Sequence, residues 1–291
     1  MAPGGVAGQH IIPILAGGGT RLPAHVGVLQ ALADLGLGFD RIVGVSGGSI
    51  VAALVASGLP VARIKQLALE VDFRQFRGFS LYQLLFHGGL SSGAHFERWM
   101  DERLGGATFE EMELDLHVVA TDVLTSRPVV FDREQTPRMR VATAVRFSMG
   151  IPLLFSFRKH QGHLLVDGSI LAEEALRRCW GEGLQPVFCF RLQGSSVPGR
   201  GRRSWLPLVD YLTLLIQAFL NTISREFVND SDWNSTIVID VGSFSATDFS
   251  HTPREKLELF QRGYRTTLDF LPLKMGRLAA AGRKDNGRRS A

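Results

Sequence analysis

Cysteine is nearly absent: Cys179 and Cys189 are the only two in 291 residues. Two thiols cannot build the framework of a disulfide-stapled secreted domain. They suit a reducing compartment, where cysteine serves as a small apolar residue. Long apolar runs are missing too. The longest, Trp205–Leu220, is broken by Asp210 and Gln217 and falls short of the roughly 20 residues that span a bilayer. The first twenty residues lack a basic segment followed by a clean apolar run, so no classical signal peptide is expected. A soluble chain, cytoplasmic or peripheral at a membrane, is the resulting expectation. No cluster of Cys, His and carboxylates with metal-ligand spacing is visible, so neither a metal nor an organic cofactor is expected.

Positive charge is scarce once it is located. The formal net charge is +4. Six basic residues (Lys274, Arg277, Arg283, Lys284, Arg288, Arg289) and one acid, Asp285, lie between Lys274 and Ala291. The remaining chain is almost neutral, which removes the electrostatic argument for nucleic-acid binding. Residues 1–273 are expected to form one domain, and 274–291 a basic, disordered tail with a short Ala-rich stretch.

What the chain has is an ordinary apolar fraction, 45%, and 32 glycines, more than the roughly 7% of average usage. That length and apolar content can bury a sizeable core. Short apolar runs at 11–15, 41–45, 116–121, 186–192 and 236–241 alternate with helical patterns, the last spanning 253–270. This alternation predicts an α/β fold: a three-layer αβα architecture around a largely parallel sheet. Pro13 is awkward in a central strand. Phe73–Leu90 is dense in aromatics and weak in charge, which suits buried core or a cap that meets lipid.

Three segments carry chemistry. Gly17-Gly18-Gly19-Thr20-Arg21 follows the first strand and precedes a helix opening at Pro23. Three glycines let consecutive amides turn inward, and the helix N-terminus adds partial positive charge, a combination that cradles a phosphate or an oxyanion. The dinucleotide and P-loop spacings are both absent. Gly44-Val45-Ser46-Gly47-Gly48 follows the second strand and leads into a helix. That is the strand–turn–helix setting of a nucleophile elbow, where flanking glycines such as Gly44 and Gly48 leave room for a sharply turned serine. Val166-Asp167-Gly168 leaves an apolar pair; by itself it reads equally as a turn or an N-cap.

The three segments in this order resemble the patatin-like phospholipases. The text between them is similar as well, in Ala24-His25-Val26-Gly27-Val28-Leu29 and in Ala144-Val145-Arg146-Phe147-Ser148-Met149-Gly150-Ile151-Pro152. The resemblance covers residues 11 to about 192. It implies a patatin-like fold and hydrolysis of fatty-acyl esters of phospholipids, or related acyl lipids at a membrane surface, through an acyl-enzyme. It assigns Ser46 as nucleophile and Asp167 as its base, and gives the oxyanion to the amides of Gly17, Gly18 and Gly19. Arg21, Gly44, Gly48 and Gly168 take supporting roles. Two departures stand out: Leu22-Pro23 follows the loop arginine where the family has glycine, and Ser169 ends a motif that elsewhere closes with glycine or alanine.

Two other readings remain. One is an α/β-hydrolase esterase using Ser46–Asp167–His251, since His251 alone among the histidines follows Asp167. The other is a weakly catalytic, membrane-associated, anion-binding module, drawing on the basic loop Arg200–Arg203 beside Trp205 and on the basic tail. His25 shares a helix face with Val28, Leu29 and Leu32 and reads as a packed residue behind the site. His160 and His163 flank a turn without ligand partners.

Overall fold

The computed structural model describes residues 6–76, 78, 80, 82, 86, 88–170, 185–194, 211 and 235–289. Strand β1 (Ile12–Leu15) leads through a short 3₁₀ turn into α1 (Pro23–Asp34). β2 (Arg41–Val45) leads directly into α2 (Gly47–Ala56), and α3 (Val61–Glu70) follows. Next come β3 (Gly89–Ser91), α4 (Ala94–Arg103), β4 (Asp115–Asp122), β5 (Arg127–Phe131) and α5 (Val141–Ser148). Three short strands, β6 (Leu153–Phe155), β7 (Arg158–His160) and β8 (His163–Val166), precede β9 (Val187–Gln193), β10 (Thr236–Asp240) and α6 (Pro253–Arg289).

Eight of these strands form one sheet in the order β10-β9-β1-β2-β4-β8-β7, with β5 also pairing β4. The run from β10 to β4 is parallel, whereas β5, β7 and β8 pair antiparallel. The expected largely parallel sheet is therefore present, with a mixed edge. Parallel strands covered on both faces read as continuous apolar runs, which is the pattern of β1, β2 and β9. Leu15, Ile42, Val118 and Phe190 join the main core with the helices, while Ile12, Ile14, Val43 and Val45 pack together as a separate cluster. Pro13 sits in a central strand after all. Ile12 donates to the Pro186 carbonyl just before β9 and Ala16 to Phe190 within it, so by alternation the missing Pro13 donor faces β2, ahead of the register that starts at Ile14–Val43.

The β4 ladder places the site. Val118 pairs with Gly44 on one side and Phe131 on the other, and Thr121 pairs with both Pro128 and Val166. Strand β8 therefore occupies the edge that β2 vacates beyond Val45. The ends of β2 and β8 meet there, which brings Asp167 to Ser46.

One expectation is corrected at the C-terminus. The chain from Lys274 was expected to be a disordered tail, but α6 runs on through Pro272 to Arg289. Leu271 and Met275 are buried, and Leu278 packs on the same core. They fall at i, i+4 and i+7, one face of a helix, so apolar spacing continues under the basic charge.

Helices α1 and α6 touch backbone to backbone. A Cβ on Gly263 would fall 1.9 Å from the Ala24 carbonyl oxygen, and one on Gly27 would fall 2.1 Å from that of Phe260. Alanine at an open helical glycine stabilises by about 0.5–1 kcal/mol, and Gly276 on the same helix has nothing within 4 Å. Gly263→Ala is expected to lower stability by about 1–3 kcal/mol through overpacking, and Gly276→Ala to raise it. Paired denaturant titrations check both signs.

The aromatic segment 73–90 divides. Phe73 and Phe76 are buried, whereas Tyr82 and Phe86 are exposed with ring centroids 4.9 Å apart. The apolar run Trp205–Leu220, apart from Tyr211, and the loop 200–203 lie outside the described residues, as does Cys179. Cys189 is buried.

Candidate active site

Ser46 sits between β2 and α2 with φ 51° and ψ −128°, a positive φ that non-glycine residues seldom adopt. Its neighbours must be glycines for want of space. A Cβ on Gly44 would lie 2.4 Å from Ser49 Cα, one on Gly47 2.4 Å from the Gly19 carbonyl oxygen, and one on Gly48 2.1 Å from that of Leu15. Such a turn persists only where its surroundings over-determine it. Here Ser46 N–H donates to Ser148 Oγ (2.8 Å), whose own hydroxyl donates to the Val119 carbonyl (2.6 Å). Ser148 thus ties the turn to β4.

The Ser46 hydroxyl donates to Asp167 Oδ2 at 2.7 Å, and both residues are buried. Asp167 Oδ1 accepts the Ser169 N–H at 2.8 Å, and the Asp167 N–H donates to the Gly150 carbonyl. Burial pushes the Asp167 carboxyl above the ordinary aspartate range, against the hydrogen bonds from Ser46 and Ser169, which favour its charged form. A Cβ on Gly168 would fall 2.0 Å from the Val119 carbonyl oxygen, so this glycine lets the chain turn tightly off β8 against β4.

The glycine loop is tied at both ends. Ala16 N–H donates to Phe190 and Thr20 N–H to Ala246, while the amides of Gly17, Gly18 and Gly19 have no acceptor among the described residues. The Thr20 hydroxyl reaches the Asp248 carbonyl at 2.7 Å. Arg21 turns back on the loop, its Nε donating to the Gly18 carbonyl at 3.0 Å; burial lowers its pKa to about 10. The departures from the family pattern fit this surface. Leu22 is buried beside the pocket, and Ser169 Oγ stands 2.0 Å from where a Cβ on Gly17 would be.

An apolar pocket opens beside Ser46, walled by Ile50, Phe73, Phe76, Phe96, Met149 and Phe155. These residues come from five separate segments. Arg146, fully buried on α5, holds one wall: its guanidinium donates to the Ser92 and Ser156 carbonyls and lies over the Phe155 ring. Burial lowers its pKa to about 10, and it stays charged. The sequence singled out the 144–152 run only as a likeness; that it supplies both the wall clamp and the Ser46 anchor was missed. Of the pocket aromatics, Phe73 and Phe76 fall in the aromatic segment that the sequence marks as core or cap, whereas Phe96 and Phe155 carry no sequence signal.

His251 does not join this arrangement. Its Nε2 lies 3.3 Å from the Ser245 carbonyl and its ring packs edge-on against Phe244, while Asp167 takes the Ser46 hydroxyl directly. His163 pairs with Asp122 at 2.9 Å, a partner that the sequence did not suggest. Among the described residues no group of His, Cys, Asp or Glu could hold a metal ion, and no helix is long and apolar enough to cross a membrane.

A family model described as patatin-like phospholipase matches residues 14–176, more than half of the chain. The chain belongs to the patatin-like phospholipase family. It is 26% identical to the protein YqhO of Bacillus subtilis over 90% of this chain and 98% of that one. It is 28% identical to an NTE family protein of Mycobacterium bovis, over 70% of this chain and 34% of that protein. The neuropathy target esterase sws of Drosophila grimshawi is 28% identical over 56% of this chain, which spans only 11% of the esterase. Among solved structures, VipD from Legionella pneumophila superposes with a TM-score of 0.62 at 16% identity, covering 91% of this chain and 67% of VipD. ExoU in its complex with SpcU from Pseudomonas aeruginosa gives 0.57 at 18% identity, covering 92% and 52%. These two structures share the fold of this patatin-like chain, and its family places it among lipid hydrolases.

Proposed function

We propose that this chain is a serine lipid acyl hydrolase of phospholipase A type, working through a Ser46–Asp167 dyad and an acyl-enzyme. The Ser46 hydroxyl donates its proton to Asp167 as its oxygen attacks a fatty-acyl ester carbonyl. The carbonyl oxygen gains negative charge and meets the amides of Gly17, Gly18 and Gly19. Collapse of the tetrahedral adduct breaks the ester bond, and the leaving alkoxide takes the proton from Asp167. Water then attacks the acyl-serine, with Asp167 accepting its proton; collapse breaks the bond to Ser46 Oγ, which takes the proton back from Asp167, and fatty acid is released.

The observation that carries this reading is the 2.7 Å bond between Ser46 and Asp167 in the wall of an apolar pocket. A carboxylate is a weak base, and burial strengthens it. Unpaired amides beside the nucleophile supply the electrostatic part, for which one donor is worth about 3–4 kcal/mol. The pocket walls suit an acyl chain, and the substrate would be met at a membrane surface.

The test is fatty-acid release from mixed phospholipid vesicles by wild type and Ser46→Ala. Release by wild type and none by the variant is the expected outcome. No release by either would favour a binding module, and equal release by both would remove Ser46 from the chemistry.

A further inference from the structure

His25 is fully buried on α1, and its Nε2 stands 2.7 Å from the Ala16 carbonyl oxygen, immediately before the glycine loop. A carbonyl can only accept, so Nε2 carries the proton. Nδ1 is then left as an acceptor, and it has no partner among the described residues. Burial lowers the His25 pKa to about 4, with Arg21 adding to the effect, and the ring is neutral. A buried, half-satisfied imidazole costs stability. A leucine would fill this helix position without that cost.

The peptide group explains what the bond achieves. All peptide bonds described here are trans, and in a trans peptide the carbonyl of one residue and the N–H of the next point in opposite directions. Holding the Ala16 carbonyl toward α1 therefore aims the Gly17 N–H away from α1. The same relation recurs two residues later. Arg21 Nε and Arg21 N–H both donate to the Gly18 carbonyl, at 3.0 and 3.1 Å, which aims the Gly19 N–H away from that side. Gly19 has φ +55° and borders the pocket; Gly17 lies against Ser46 and Ser169.

We infer that His25 and Arg21 are positioning residues for the oxyanion site, fixing the directions of the Gly17 and Gly19 amides through the carbonyls of the same peptide groups. This rests on the Ser46 reading given above. Three consecutive glycines have no side chains of their own to hold an orientation, and donors to an oxyanion must be fixed before the charge develops. The two side chains supply that rigidity from behind, touching neither substrate nor nucleophile.

Glutamine and asparagine at position 25 separate the role from mere packing. The glutamine amide nitrogen reaches the place of imidazole Nε2, whereas asparagine reaches only that of Nδ1. With a medium-chain p-nitrophenyl ester, His25→Asn is expected to lower kcat by about 10- to 10²-fold with KM unchanged. His25→Gln should recover to within a few-fold of wild type, and Arg21→Met should show the same split as His25→Asn. A long-chain trifluoromethyl ketone, which adds the Ser46 hydroxyl and becomes an oxyanion, should weaken in parallel with kcat. Binding of free fatty acid should not change. Both binding constants are read per folded molecule, so partial unfolding of a variant does not obscure them. Equal kcat in His25→Gln and His25→Asn, or equal weakening of ketone and fatty acid, overturns the inference while leaving the dyad intact. Undiminished ester hydrolysis by Ser46→Ala would instead overturn the reading on which it rests.

Discussion

Asp167→Asn is expected to lose roughly 10²- to 10⁴-fold in fatty-acid release, the range that a positioned general base contributes, without losing stability. Asparagine keeps an oxygen for the Ser169 N–H and fills the same space. What it lacks is a buried negative charge. The Asp167 carboxyl is raised by desolvation, so the native protein holds the charged form less well than the unfolded chain does. Its contribution to stability is fully present below the ordinary aspartate pKa and is lost as the pH rises through the raised folded value. At neutral pH the asparagine variant should therefore melt at or above the wild-type temperature, and the difference should shrink in acid. The same shift governs activity. The base must be ionised, so the acid limb of kcat/KM should fall above the range of an ordinary aspartate. A variant both inactive and strongly destabilised would mean that Asp167 holds the fold rather than the chemistry.

Ser148→Ala should be the more damaging change for the fold. It removes the acceptor of the Ser46 N–H and the donor to the Val119 carbonyl together. Each buried polar group left unpaired costs about 1–3 kcal/mol. The turn at Ser46 is the one non-glycine strain in the site, and without Ser148 it can relax toward an ordinary backbone. A shift of about 1 Å in the nucleophile can cost about 10²-fold in rate. Thermal melts and ester hydrolysis measured together should therefore both fall, unlike the outcome for Asp167→Asn. Ser148→Ala with full activity would show that α2 and the glycine pair around Ser46 hold the turn unaided.

The parts legible in the sequence were those with local signals. β1 and β2 are apolar runs that lead into glycine-rich turns, and the motif around Ser46 needs glycines because backbone stands within 2.4 Å of where their side chains would be. Asp167 is different. It lies 121 positions from Ser46, and nothing in its own surroundings distinguishes it from a turn; only likeness to a family singled it out. The physical link is the β4 ladder, where β8 takes the edge that β2 leaves. β3, β6 and β7 are three residues each, too short for alternation to register. The continuation of α6 was hidden because its basic residues masked the 271, 275 and 278 spacing. His25 shares a face with apolar residues, and its bond to Ala16 depends on how the glycine loop folds back over α1, which no local pattern records.

The central claim is that Ser46 carries the acyl group. The direct measurement is mass spectrometry of the protein after exposure to a long-chain alkyl fluorophosphonate, with peptide mapping of the adduct. One equivalent on the peptide containing Ser46 is expected in wild type, none in Ser46→Ala, and much slower labelling in Asp167→Asn. An adduct on another residue, or a wild-type Ser46 that stays unlabelled while fatty acid is still released, would contradict the account.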